Sequence, residues 1–131
     1  MAILPQIDRY FVVTPAVHGD ILDLGPGASG SLVGTVTIQF QPDVNFVGSF
    51  VLVARSMGQQ AKDNNAAFLP IPYHRATVNN VASDYAIVSD QISGACLIDI
   101  PANGKDIGLL VSCTAGSCAI FPWSLTGSGA V

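Results

Sequence analysis

Apolar, β-branched runs cut at short intervals by glycine, proline, aspartate and asparagine set the tightest limit on what this chain can fold into. The clearest is Gly34 to Gln41. There Val36, Ile38 and Phe40 face one way and Thr35, Thr37, Gln39 and Gln41 the other, the period-two signature of a half-buried strand. Pro42-Asp43 closes that run. Val47 to Arg55 follows, with Phe50, Leu52 and Ala54 on one side and Val51 and Val53 on the other. A strand apolar on both faces is expected at the centre of a sandwich, or with its second face covered by another subunit. Further runs are Arg9 to Thr14, Ile21 to Leu24, Phe68 to Tyr73, Ala76 to Val81, Tyr85 to Ser89, Ala95 to Ile100, Ile107 to Cys113 and Cys118 to Leu125. Spaced at about 8 to 12 residues with turn signals between them, they predict an all-β fold: a single β-sandwich or jelly-roll-like domain of about 8–10 short antiparallel strands. No segment sustains a 3.6-residue period. Gly58 to Ala67 has room for one helical turn but reads as a long loop, and no repeat of fixed period is present.

Composition agrees and adds a second constraint. All nine acidic residues are aspartate, so glutamate, a good helix former, is missing while β-branched residues abound. At 131 residues the chain makes one domain, 1–131, with residues 1–8 as an extended N-terminal segment. Half of the residues are apolar and only 11% are charged, against about 25% in ordinary soluble domains. Mean hydropathy is +0.49. One small sandwich cannot hide that much apolar surface, so neighbours are expected to cover some of it, as a homo-oligomer with a trimer favoured. Net charge is −4, and the five basic residues (Arg9, Arg55, Lys62, Arg75, Lys105) are scattered. Without a basic stripe, no direct nucleic-acid partner is expected. The N-terminus lacks the pattern of a signal peptide, which points to synthesis in a cytoplasm. Ile107 to Leu125 carries no charge, but Gly108, Ser112, Thr114, Gly116, Ser117 and Pro122 interrupt it. It is therefore read as a hairpin and not as a membrane span.

Groups able to carry chemistry are few, and no catalytic residue, cofactor or metal site is expected. His18 and His74 stand outside any catalytic or metal spacing, and no nucleophile elbow is present to build a triad. Asp20 with Asp23, or Asp84 with Asp90, have the donor chemistry for calcium, yet all four sit where aspartate favours turns. Gly25, Gly27 and Gly30 have no helix pattern after them, so they do not form a phosphate loop. Gly25 to Gly34 and Ser56 to Ala67 read as ordinary connections, with a tip that reaches a partner as the alternative. Cys113 and Cys118 enclose a four-residue loop between apolar runs. A hairpin there would set them opposite each other, which allows either a disulfide or two buried thiols. Cys-x4-Cys alone lacks the four ligands of structural zinc. Cys96 reads as a small core residue.

The same hairpin would place Ile107, Leu109, Val111, Cys113 and Ile120 on one face and Leu110, Ala119, Phe121 and Trp123 on the other. With both faces apolar, Phe121, Trp123 and Leu110 are the expected subunit interface. Pro70-Ile71-Pro72-Tyr73-His74-Arg75, then Ser93-Gly94-Ala95-Cys96-Leu97-Ile98-Asp99-Ile100-Pro101-Ala102 and the final apolar segment, resemble small virion structural proteins of tailed bacteriophages. The resemblance covers roughly the C-terminal half and carries no catalytic signature. It implies a β-sandwich or jelly-roll subunit, often trimeric, that decorates or cements a capsid or builds a tail or fibre. The implied partners are copies of itself and the major capsid protein or another virion protein, and the implied location is the virion. A fibre-tip or carbohydrate- or receptor-binding sandwich is the alternative, expected to show exposed aromatics in its loops and a calcium site. No membrane partner is expected.

Overall fold

Period-two alternation and closely spaced turns produce two antiparallel sheets packed face to face, and the protein is nearly all β. The computed structural model describes residues 6–8, 10–26, 35–75, 86–88, 91–101 and 104–125. Eleven strands are described in chain order: β1 (Gln6–Asp8), β2 (Phe11–Val13), β3 (Ile21–Pro26), β4 (Thr35–Pro42), β5 (Val47–Ser56), β6 (Leu69–Pro70), β7 (Tyr73–Arg75), β8 (Ala86–Val88), β9 (Cys96–Pro101), β10 (Lys105–Ala115) and β11 (Cys118–Leu125). The larger sheet runs β1-β11-β4-β9-β7-β8, with β2 pairing further along the same strand β11. The smaller sheet runs β3-β10-β5-β6.

The core lies between them. Val36, Ile38 and Phe40 of β4, Ile98 and Ile100 of β9, and Cys118 and Ile120 of β11 meet Phe50 and Leu52 of β5 and Ile107, Leu109, Val111 and Cys113 of β10, all buried. Phe40 and Phe50 join the two sheets with ring centroids 5.3 Å apart. Each such side chain contributes about 1.5–3 kcal/mol on burial. Alternation therefore decides the inward face of β4, β10 and β11 as the sequence predicts.

Three local expectations change. Ile107 to Leu125 is not a hairpin. β10 pairs with β3 and β5, whereas β11 pairs with β1, β2 and β4, so the chain turns a corner from one sheet to the other. Gly116 makes that corner with φ of +70° and lies against the backbone of Asn45 and Phe46, where a Cβ has no room. Phe68 to Tyr73 divides at Ile71-Pro72 into β6 in one sheet and β7 in the other, because two prolines deny the ladder its donors. Within Gly58 to Ala67, the helical turn is real: α1 (Gln59–Asp63). Among the described residues, no helix is long and apolar enough to cross a membrane. Ala76 to Val81, Asp84, Asp90, the flanks of Tyr85 to Ser89 and most of Gly25 to Gly34 lie outside the described residues, as do Arg9, Ala102 and residues 1–5 of the N-terminal segment.

Candidate functional site

The two outer faces of the sandwich have different chemistry. On the smaller sheet, the second face of β5 is partly covered by the protein's own chain. Phe68 lies over Gly108, where an added Cβ would meet its Cε1 at 3.4 Å, and Val53, the register partner of Gly108, is buried. Arg55 sits 4.6 Å above the Phe68 ring and its Nε donates to Asp106 Oδ2 at 3.0 Å. Asp106 is the one buried charged residue among those described. A neighbouring chain is therefore not needed over this half of the face. The other half is more open: Ile21, Leu110 and Val51 form one cross-strand row over β3, β10 and β5, with Ile21 41% and Leu110 40% exposed and Val51 half-buried.

On the larger sheet, the outward side chains of β11 are Ala119, Phe121 and Trp123, with the last two 42% and 46% exposed. Tyr10 stacks on Phe121 at 5.4 Å. Beside β11, β4 turns Thr37, Gln39 and Gln41 outward, in register with Trp123, Phe121 and Ala119 respectively. The polar half of an alternating strand thus lies next to the aromatic half of its neighbour. The next strand, β9, adds Leu97 and Asp99.

Phe121 and Trp123 therefore share a face, as the sequence predicts, but Leu110 does not join them. It points out from the opposite sheet, because β10 and β11 belong to different layers. One interface can contain all three only where opposite faces of neighbouring subunits meet, as in a head-to-tail ring.

Cys113 and Cys118 are buried free thiols, and the corner between them replaces the facing positions of a hairpin. Burial pushes the Cys118 thiol up to about 11, so it stays protonated at neutral pH and is neither a nucleophile nor a ready metal ligand. Cys96 is half-buried at the edge of the core. His18 has a structural task that the sequence did not announce. Its Nδ1 accepts the Cys113 backbone N–H at 3.0 Å, a partner 95 residues away in the chain. His74 lies opposite Asp99 across β7 and β9, and Asp99 Oδ1 accepts the Thr37 hydroxyl at 2.6 Å. Because the hydroxyl bonds the carboxylate and not the imidazole, the three do not have the order of a nucleophilic triad. Asp20 and Asp23 flank the start of β3, and no group of three or more metal-binding side chains occurs among the described residues.

No family model matches this chain, no curated protein matches it, and no solved structure matches it.

Proposed function

We propose that this chain is an assembly-forming structural subunit of a viral particle, a capsid decoration or cement protein that acts as a symmetric homo-oligomer, with a trimer expected. The observation that carries this reading is the partly exposed aliphatic row Ile21–Leu110–Val51. Beside it on the same face Gly108 lies under Phe68 and Val53 is buried, so the fold covers apolar surface with its own chain there and leaves Ile21 and Leu110 exposed. Burying such a row against a second copy returns the hydrophobic free energy that exposure forgoes, about 25 cal/mol for each Å². The low charge content and the resemblance to tailed-phage virion proteins point the same way. The work of such a subunit is binding energy, spread over contacts with its own copies and with the major capsid protein, and it calls for no catalytic group.

Sedimentation equilibrium tests the reading. The wild type is expected to be oligomeric at micromolar concentration, and Leu110→Asp to weaken association by about 2 kcal/mol or more with its thermal melt little changed. A wild-type chain that stays monomeric at high micromolar concentration and does not co-sediment with empty shells sinks the proposal.

The alternative, a recognition sandwich of fibre-tip type, is favoured by a separate observation: the exposed Tyr10, Phe121 and Trp123 on the other face. The two roles are compatible in one subunit, since they use opposite sides.

A further inference from the structure

The aromatic side chains on the outer face of the larger sheet are interleaved with polar groups in a way that an interface core is not. Tyr10 and Phe121 stack with an interplanar angle of 23°, and Trp123 follows two residues along β11. Thr37 is the register partner of Trp123, Asp99 of Thr37, and His74 of Asp99. One row thus crosses four strands from an indole to a hydroxyl, a carboxylate and an imidazole. Strands about 4.8 Å apart put Trp123 and Asp99 roughly 10 Å from each other, room for two sugar rings in line. A depression of about 390 Å³ lies over the aromatic end, with Thr37 and Gln39 in its wall. A second, of about 340 Å³, lies over His74 and Asp99. Thr37, in the wall of the first, donates its hydroxyl to Asp99, in the wall of the second.

We propose that this face binds a neutral saccharide. A pyranose has an apolar C–H face, which packs on an aromatic ring, and a rim of hydroxyls that both donate and accept. Trp123 and Phe121 supply the ring surface. The Gln39 side-chain amide reaches Gln41 only at 3.5 Å, the limit of a hydrogen bond, so it keeps capacity for sugar hydroxyls. The Asp99 carboxylate has acceptor capacity beyond the one bond from Thr37. A protein partner laid flat here would have to strip water from Thr37, Gln39, Gln41 and Asp99, which costs free energy wherever they are not re-paired. Charged groups are also depleted from interface cores. The ligand is neutral because Asp99 repels an anion, and no lysine or arginine lines either depression among the described residues.

Trp123 is the only tryptophan in the chain, so its fluorescence reports occupancy directly. The full chain is titrated with cellohexaose, mannohexaose and chitohexaose and applied to an array of neutral glycans. A saturable fluorescence change with at least one is expected. By calorimetry, Trp123→Ala and Asp99→Asn should each lower that affinity by about tenfold or more. Both side chains are at least partly exposed, and a circular dichroism melt verifies that the variants fold. Leu110→Asp should leave saccharide affinity unchanged, so failure of the assembly reading and failure of this one are separately visible. The proposal is overturned if no glycan gives a saturable signal, if Trp123→Ala binds as well as the wild type, or if Trp123→Ala dissociates the oligomer, which would make this face a contact between copies.

Discussion

Asp106 shows how much one charge can weigh in a chain with few of them. Its side chain is only 4% exposed and its Oδ2 is held by Arg55, while Oδ1 has no partner among the described residues. Arg55 in turn is fixed by the Phe68 ring and by the Ala66 carbonyl, which its guanidinium reaches at 3.4 Å. Arg55→Met should therefore destabilise the fold by about 3–5 kcal/mol, the cost of leaving a buried charge unpaired. Adding Asp106→Leu should restore most of the loss. Urea denaturation of the two variants checks this, and a single variant as stable as the wild type would show that water reaches the carboxylate. The thiols behave differently. Cys113 and Cys118 are interior packing residues whose value lies in size and burial, as small apolar groups.

At the scale of elements, the corners between sheets are the features that matter most. The β4–β5 corner and the β10–β11 corner are tied through Asp43. Its N–H donates to the Ser117 carbonyl at 2.9 Å, and its carboxylate accepts the Ser117 hydroxyl and the Asn45 N–H, each at 3.0 Å. Hydrogen bonding from the Ser117 backbone, above all, and then from the Ser117 hydroxyl and Asn45 holds the carboxyl below its ordinary value of 3.8, against some opposing desolvation. A carboxyl lowered in the folded state stabilises that state fully above the ordinary carboxylate range, and loses the contribution as pH falls through the folded value. Asp43→Asn should thus be less stable than the wild type at neutral pH, with the gap closing as the solution is acidified. Chemical denaturation at a series of pH values measures it; a gap independent of pH would mean that the ion is not what the corner uses.

For the whole molecule, placing the last two strands in different layers gives the protein two unlike faces, one aliphatic and one aromatic and polar. Sites on opposite sides of a packed core, without shared partners, should act independently. The Leu110→Asp/Trp123→Ala double variant is therefore expected to combine weakened association with lost saccharide binding, each as large as in its single variant. Sedimentation and glycan titration on the same sample read both, and an effect of Leu110→Asp on saccharide affinity would show that the faces are coupled.

Much of this arrangement was legible in the residues themselves. Alternation in Thr35 to Gln41 and in Ile107 to Cys113 determined which side chains enter the core, because inward and outward positions follow from the two-residue period of a strand. The runs of glycine, proline and aspartate marked where strands stop, and the excess of β-branched residues over helix formers set the class. Pairing was decided only by the tertiary structure. Cys113 and Cys118, with four residues between them, looked like opposite positions of one hairpin, since a local sequence pattern carries no term for competing partners. Strand β10 instead found β5 and β3, and β11 found β4, because each then covers the other sheet's inner face. That choice separated Leu110 from Phe121 and Trp123, brought Phe68 over Gly108, and set the aromatic half of β11 beside the polar half of β4. Long-range pairing of this kind depends on the summed burial of both sheets at once, which no single stretch of the chain contains.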